Sequence, residues 1–394
     1  MATVNNNTPT LRFPEFKEEW ENTKLGKVAK FSKGKGISKS EISEYGINEC
    51  IRYGELYTRY GEVIQDVFSK TNADINKSVV SEANDVIIPA SGETQIDIAT
   101  ASCVMKSGVI LGGDLNIIKT NKNGVFLSYY LNSKRKLDIA NLAQGISVVH
   151  LYSSQLALLN LNFPTLPEQQ KIATFLTAVD EKLQASKQKK SLLEQYKKGV
   201  MQQIFSQELR FKDDNGNEFP DWEDKKVKDI FVVTRGNVLS MTLVSENQNN
   251  NNYYPVYSSQ TKKNGLSGYY NTFLFEDCIT WTTDGAGAGD VNFRKGKFYC
   301  TNVCGVLKSD KGYANVFVAE ILNSISRKYV SYVGNPKLMN NVMAEISISI
   351  PTSIEEQTKI ATFLSTIDEK INQCHAQITN TEVWKRGLLQ GMFI

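Results

Sequence analysis

The sequence predicts a mixed α/β (α+β) chain: two similar globular domains separated by two long antiparallel coiled-coil helices, the whole arranged as a pseudo-two-fold internal repeat. Three observations predict it. EQQKIATFLTAVDEKL at 168–183 superposes on EQTKIATFLSTIDEKI at 356–371 with an offset of 188 residues. YKKGVMQQIF (196–205) lies over WKRGLLQGMF (384–393) at the same offset, so 38 consecutive positions align without an insertion. The blocks in front of these segments share an order of elements while their loops differ. The chain divides accordingly into a first domain at 1–165, a first helix at 166–207, a second domain at 208–352 and a second helix at 353–394.

In chain order, LRFPEFKEEWENTKLGKVAKF (11–31) opens the first block, and its counterpart at 209–233 reads LRF, an inserted DDNGN turn, then EFPDWEDKKVKDIFVV. Short β-rich runs follow, DVIIPA (85–90) and GVILGGDLNIIK (108–119), separated by glycine and polar turns. The amphipathic run FLSYYLNSKRKLDIAN (126–141) comes after them. In the second block DCITWTT (277–283), KFYCTNVCGVLK (297–308) and VFVAEILNSISRKYVSYV (316–333) hold the corresponding places. Each block has about 145 residues, a length that suits one compact domain.

The repeated segments carry helix periodicity. Positions 172, 176, 179, 183, 186, 190, 193, 197, 200 and 204 step by four and three and hold Ile, Leu, Val, Leu, Ser, Lys, Leu, Lys, Val and Ile, a heptad seam with a polar middle. The second copy places Ile360, Leu364, Ile367, Ile371, Cys374, Ile378, Leu388 and Met392 on the same face. Thr165 with Glu168, and Thr352 with Glu355 or Ser353 with Glu356, give S/T-x-x-E starts. A rod of roughly 57 Å exceeds one wall of such a domain, so the two rods are expected to pair antiparallel, with Ile172, Leu176, Val179, Ile360, Leu364 and Ile367 in the seam. Homodimerisation through the same seam is the alternative. Gly199 and Gly387 recur inside the rods, where glycine costs about 1 kcal/mol relative to alanine. Close backbone approach, at a crossing or to a docked partner, would justify that recurrence.

Composition narrows the function classes. With 41% apolar and 22% charged residues the chain is an ordinary folded one. The opening MATVNNNTPTLRFPEF has no apolar leader and no long apolar run follows, so a cytoplasmic protein without membrane insertion is expected. Six cysteines without a CxxC and only two histidines, His150 and His375, argue against a metal site or a disulfide framework. A net charge of +3 diagnoses nothing about nucleic acid. No GxxxxGK[ST] occurs, and DGAGAGDV (284–291) runs into NFRKGKFYC, a turn and strand where a phosphate-binding loop needs a helix. No cofactor and no catalytic residue are therefore assigned.

Loops mixing basic, aromatic and amide side chains, FSKGKGISK (31–39), IRYGELYTRYG (51–61), SSQTKKNGLSGYY (258–270) and FRKGKF (293–298), are the candidates for DNA contact. Lys and Arg hold phosphates, while Arg, Asn and Gln pair with purine edges. The candidates are Lys33, Lys35, Arg52, Arg59, Ser91, Glu93, Gln95 and Gln144 in the first block. In the second they are Arg235, Gln260, Lys262, Lys263, Thr283, Arg294 and Lys337. A solvated surface loop is the alternative for each.

The order of parts, and especially PEQQKIATFL and EEQTKIATFL with the trailing YKKG and WKRG helices, resembles the specificity (S) subunit of type I restriction-modification systems. The resemblance covers nearly the whole chain and rests on the repeat architecture. It implies two target-recognition domains reading a bipartite, asymmetric site in double-stranded DNA. It also implies helices that dock two modification (methyltransferase) subunits, through which restriction (translocase and nuclease) subunits join. Methylation and cleavage would then belong to the partners, and the chain itself would be no enzyme. Exposed helix positions, Gln169, Lys171, Lys197, Gln357, Lys359 and Lys385, are the docking candidates. An autonomous tandem DNA-binding regulator is the competing reading.

Overall fold

The computed structural model describes residues 8–145, 147–259 and 262–394. Two helices dominate the secondary structure, Leu166–Phe205 with 40 residues and Ile354–Met392 with 39. The chain forms two compact units that cut across the linear division: residues 1–188 with 376–394, and residues 189–375. Each unit thus takes one half of each long helix.

The first unit is built on a five-stranded sheet in the order Ala29–Lys33, Leu115–Thr120, Asp85–Pro89, Ser102–Val104, Val63–Ile64. All neighbours are antiparallel except the last pair. Asp85–Pro89 is buried along its whole length, as a central strand covered on both faces must be, and its DVIIP sequence lacks polar alternation for that reason. A smaller sheet of Ser69–Thr71, Asn48–Ile51 and Ile110–Leu111 lies in the same unit. The second unit has a six-stranded sheet in the order Val232–Arg235, Cys304–Lys308, Phe275–Thr282, Val291–Cys300, Tyr254–Tyr257, Leu266–Tyr270. Gly305 is required there: a Cβ would stand 2.1 Å from the Trp281 ring of the neighbouring strand.

Four devices appear in both units. Glu21–Lys24 pairs antiparallel with Asn160–Phe163, and Trp222–Lys226 with Ser347–Pro351, so each body is closed by its first strand against the strand that leads into a long helix. Asn123 caps the helix Gly124–Ser133 by accepting from Phe126 N (2.8 Å), and Asn315 caps Val316–Ile325 by accepting from Val318 N (3.0 Å). The long helices start with buried carboxylates, described below. They end inside the cores.

Most seam positions named from periodicity are buried, whereas Leu183, Lys190, Leu193, Lys197 and Ile371 are only partly covered. Ile172, Leu176, Val179, Val200 and Ile204 are buried, as are Ile360, Leu364, Ile367, Cys374, Ile378, Leu388 and Met392. Within the first unit Ile172, Leu176 and Val179 share a core with Leu388, Met392 and Phe393 and with Trp20, Phe126, Tyr130 and Phe163 of the body. Within the second, Ile360 and Leu364 share a core with Val200, Ile204 and Phe317. Each such side chain contributes about 1.5–3 kcal/mol on burial. The direction is antiparallel inside each unit: Phe175 meets Trp384 at 5.9 Å and Lys187 meets Glu382 at 2.8 Å in the first, and Lys197 meets Asp368 at 2.8 Å in the second. None of the described helices is long and apolar enough to cross a membrane.

Candidate nucleic-acid interface and helix docking faces

The first turn of each long helix is locked to its own body by the repeated LRF…W segment. Arg12 donates from Nε and Nη2 to the two oxygens of Glu168 (2.7 and 2.8 Å), and Trp20 Nε1 lies 3.4 Å from Glu168 Oε1. Arg210 donates to Glu356 in the same way (3.2 and 3.0 Å), with Trp222 Nε1 at 3.3 Å. Phe13 packs edge-on against Phe175 and Phe211 against Phe363. Ser353 does receive the Glu356 amide (3.4 Å), but the glutamate side chains face arginine instead of closing a capping box. A buried carboxylate there is neutralised by the fork of an Arg, a stronger partner than a cap amide.

This geometry corrects the expected exposure of several docking candidates. Gln169 and Gln357 are fully buried, donating to Pro164 O (2.8 Å) and Pro351 O (2.9 Å), because a helix start packed on a body must satisfy backbone groups internally. Lys385 is bound to Asp180 (2.7 Å) and Glu62 (3.2 Å), and Lys197 to Glu320 (2.6 Å) and Asp368 (2.8 Å). Lys171 pairs with Glu15, and Lys359 with Asp214 (2.7 Å) and Glu355 (3.3 Å). All six are hydrogen-bonded or ion-paired within the chain; Gln169 and Gln357 are buried, Lys197, Lys359 and Lys385 are partly covered, and Lys171 remains exposed. Also exposed on the helices are Tyr196 and Trp384, each three residues before an open glycine. A Cβ at Gly199 or Gly387 would meet nothing within 4 Å. Gly199 floors a groove of about 580 Å³ walled by Tyr196, Gln203 and Glu208.

In the first unit the DNA candidates fall into two groups. Arg52 and Arg59 line a cleft of about 1170 Å³ together with Lys39, Tyr53 and Lys70. Glu55, itself buried and accepting from Ser69, faces Arg52 at 3.7 Å, and Arg52 Nε is buried without a partner among the described residues. Lys35 is exposed near this cleft and donates to Lys77 O (2.7 Å). The second group lies at one sheet edge. Gln144 exchanges backbone hydrogen bonds with His150 (2.9 and 2.7 Å), His150 pairs with Ser91, and Gln95 reaches Ala143 O at 3.4 Å. Lys33 sits 5.9 Å from the ring of Tyr152, which stacks near His150, and Glu93 is exposed beside them. Ser91 is a correction: it is buried in the strand pair and its side chain is withdrawn from solvent. His150 and Tyr152, two positions apart in sequence, stand at the same edge, and loop composition alone does not single them out.

In the second unit, Lys262 and Lys263 are exposed on a turn whose Lys263 and Asn264 have φ of 49° and 52°. That turn meets Arg294, which donates from Nη2 to Asn264 O (2.7 Å). Arg235 is exposed at the end of its strand, and Lys337 is exposed, exchanging backbone hydrogen bonds with Ser331 (2.9 and 2.8 Å). Gln260 lies outside the described residues. Thr283 is a second correction: it is buried and donates to Val303 O (2.9 Å), so it is framework. Arg327, Asn292 and Asn323 line the Arg294 cavity and are not visible in sequence, because only tertiary packing brings the strand Val291–Cys300 beside the helix Val316–Ile325 and the turn Ser326–Tyr329. The DGAGAGD segment is a hairpin turn with left-handed glycines at 285 and 289, followed by strand Val291–Cys300.

A duplicated frame that carries different basic and amide loops defines a recognition protein more than an assembled active centre. Residues 17–195 and 220–381 match the type I restriction modification DNA specificity domain, and the chain belongs to that family of DNA specificity subunits. A type I specificity subunit of Mycoplasma pneumoniae, represented by its N-terminal part, is 43% identical over 150 residues, 36% of this chain and 75% of that protein. The crystal structure of the type I restriction-modification S subunit from M. genitalium shares the fold, with a TM-score of 0.72 at 17% identity over 98% of this chain and 99% of that one. A chain from structural work on complex assembly and conformational transition of the type I system is similar at a TM-score of 0.51 and 14% identity, covering 95% of this chain and 97% of that one.

Proposed function

We propose that this chain reads a bipartite, asymmetric site in double-stranded DNA, one part through each unit, and carries two modification (methyltransferase) subunits on its long helices, with restriction subunits joining through them. The observation that carries the reading is the pairing of one frame with two unlike loop sets. Asn123 and Asn315 caps, Arg12–Glu168 and Arg210–Glu356 clamps and the closing strand pairs recur, while the residues of the intervening loops differ almost completely. Two like frames suit two copies of one partner, and two unlike loop sets suit two different half-sites. Methyl transfer and cleavage belong to the partners in this reading.

The helix faces around Tyr196 with Gly199 and Trp384 with Gly387 are the docking notches we assign to the modification subunits. An exposed aromatic beside a bare stretch of helix backbone lets a partner helix approach closely, which accounts for a glycine recurring at a helix interior. Gly199→Ala is expected to stabilise the isolated chain by about 1 kcal/mol, since nothing opposes the added methyl. Gly199→Arg is expected to leave folding intact and reduce a two-to-one complex to one-to-one by mass measurement. Gly387→Arg should do the same and the double variant should capture none. Co-expression with a type I modification subunit and mapping of methylated sites on random DNA tests the whole reading. A homodimer that selects DNA alone and ignores that subunit would instead establish the regulator.

A further inference from the structure

Arg294 stands apart from the other basic side chains of the second unit. It lies on the central strand Val291–Cys300, half-buried, with its guanidinium 3.8 Å from the Tyr257 ring centroid. Its Nε donates to Thr280 Oγ1 at 3.0 Å and its Nη2 to Asn264 O at 2.7 Å. Stacking on one face and two hydrogen bonds fix both the plane and the rotation of the fork. No carboxylate pairs with it among the described residues. The acid of its cavity, Asp290, is taken by Arg327 at 2.5 Å. Burial holds the Arg294 pKa below its ordinary value, consistent with a cation that no described carboxylate compensates.

A partly desolvated cation without a counter-charge is costly to keep unless a ligand supplies the remaining acceptors. The surroundings describe that ligand. Arg294 lines a cavity of about 290 Å³ with Ser258, Thr282, Asn292 and Asn323, all hydrogen-bonding side chains, and the exposed Lys262 and Lys263 occupy the adjoining turn. A fixed guanidinium fork is shaped for two acceptors side by side.

We propose that Arg294 and its cavity are the seat, in the second unit, for a paired-acceptor group of duplex DNA: the O6/N7 edge of a guanine or two oxygens of a backbone phosphate. The inference rests on the DNA-reading function proposed above. It makes Arg294 the fixed element of the second half-site and the lysine turn its adjustable flank.

The test uses the full chain co-purified with a type I modification subunit, with selection from random duplex DNA and binding measured across a salt series. For a guanine, Arg294→Lys and Arg294→Gln both lose discrimination at one position of the second half-site, by roughly 5- to 150-fold. Substituting 7-deazaguanine at that position of the DNA weakens the wild type and leaves the variants unchanged. For a phosphate, Arg294→Gln weakens binding evenly across sequences and lowers the salt slope by about 1. Arg294→Lys retains most affinity, and one methylphosphonate reproduces the loss in the wild type. The half-site read by the first unit stays the same in either case. Folded variants with wild-type motif, affinity and salt slope overturn the proposal. If Arg294→Lys does not fold, Tyr257→Leu, which removes the stacking platform, is read by the same criteria. A wild-type complex that selects no sequence defeats the DNA-reading function itself, a result distinct from unchanged variants of a selective wild type.

Discussion

Arg12→Met is expected to destabilise the first unit by about 3–5 kcal/mol, the cost of leaving a buried carboxylate without its partner. Glu168 is 1% exposed, and Arg12 supplies both of its charge-assisted hydrogen bonds at 2.7 and 2.8 Å. The residue left behind would have the Trp20 indole, at 3.4 Å, as a poor substitute. Arg12→Met combined with Glu168→Gln should recover a large share of the loss, since no charge then remains buried. Arg210→Met is expected to act on the second unit alike, because Glu356 is fully buried and held by the same fork. Denaturant unfolding followed by hydrogen exchange locates the loss. A loss below about 1 kcal/mol, the range of a surface pair, would contradict the clamp.

The second large effect concerns the lysine hubs. Lys385 joins Asp180 of the first helix and Glu62 of the body, and Tyr129 donates to Asp180 at 2.6 Å. Lys385→Met is expected to cost about 2–3 kcal/mol, less than the arginine clamp because Glu62 and Asp180 keep partial access to water. Lys197→Met in the second unit, facing Glu320 and Asp368, should behave the same way. The pH dependence has a definite sign. Burial opposes the charge of Lys385, yet Glu62 and Asp180 outweigh it and raise the pKa above the ordinary 10.5. A group whose folded pKa is raised contributes stability that is complete below the unfolded value and lost as pH rises through the folded one. The stability gap between wild type and Lys385→Met should therefore narrow above about pH 10.5. A gap that widened with pH would contradict the hub.

Much of the frame was legible in the sequence because helix periodicity and internal repetition are local or self-comparing signals. The seam from Ile172 to Ile204, and from Ile360 to Met392, needed only a step of four and three. The LRF…W repeat was visible as a repeat, but its use was not: Arg12 and Glu168 are 156 residues apart, and nothing nearby in sequence identifies either as a partner. The inward placement of four docking candidates was hidden for the same reason. Lys197, Lys385, Gln169 and Gln357 have the composition of an exposed helix surface, and only the packed bodies turn them inward.

The sequence by itself determined that the chain is built twice, that its repeated segments are long helices with one apolar face, and that the loops between them are unlike. Those properties follow from spacing, and spacing survives without coordinates. Tertiary structure alone decided that each compact unit draws on opposite ends of both helices, that Ser91 and Thr283 are framework, and that Arg294 is fixed beside the lysine turn. Those outcomes depend on pairing between distant strands. Burial and hydrogen-bond satisfaction assign a polar side chain to the core or to a ligand only after that pairing exists.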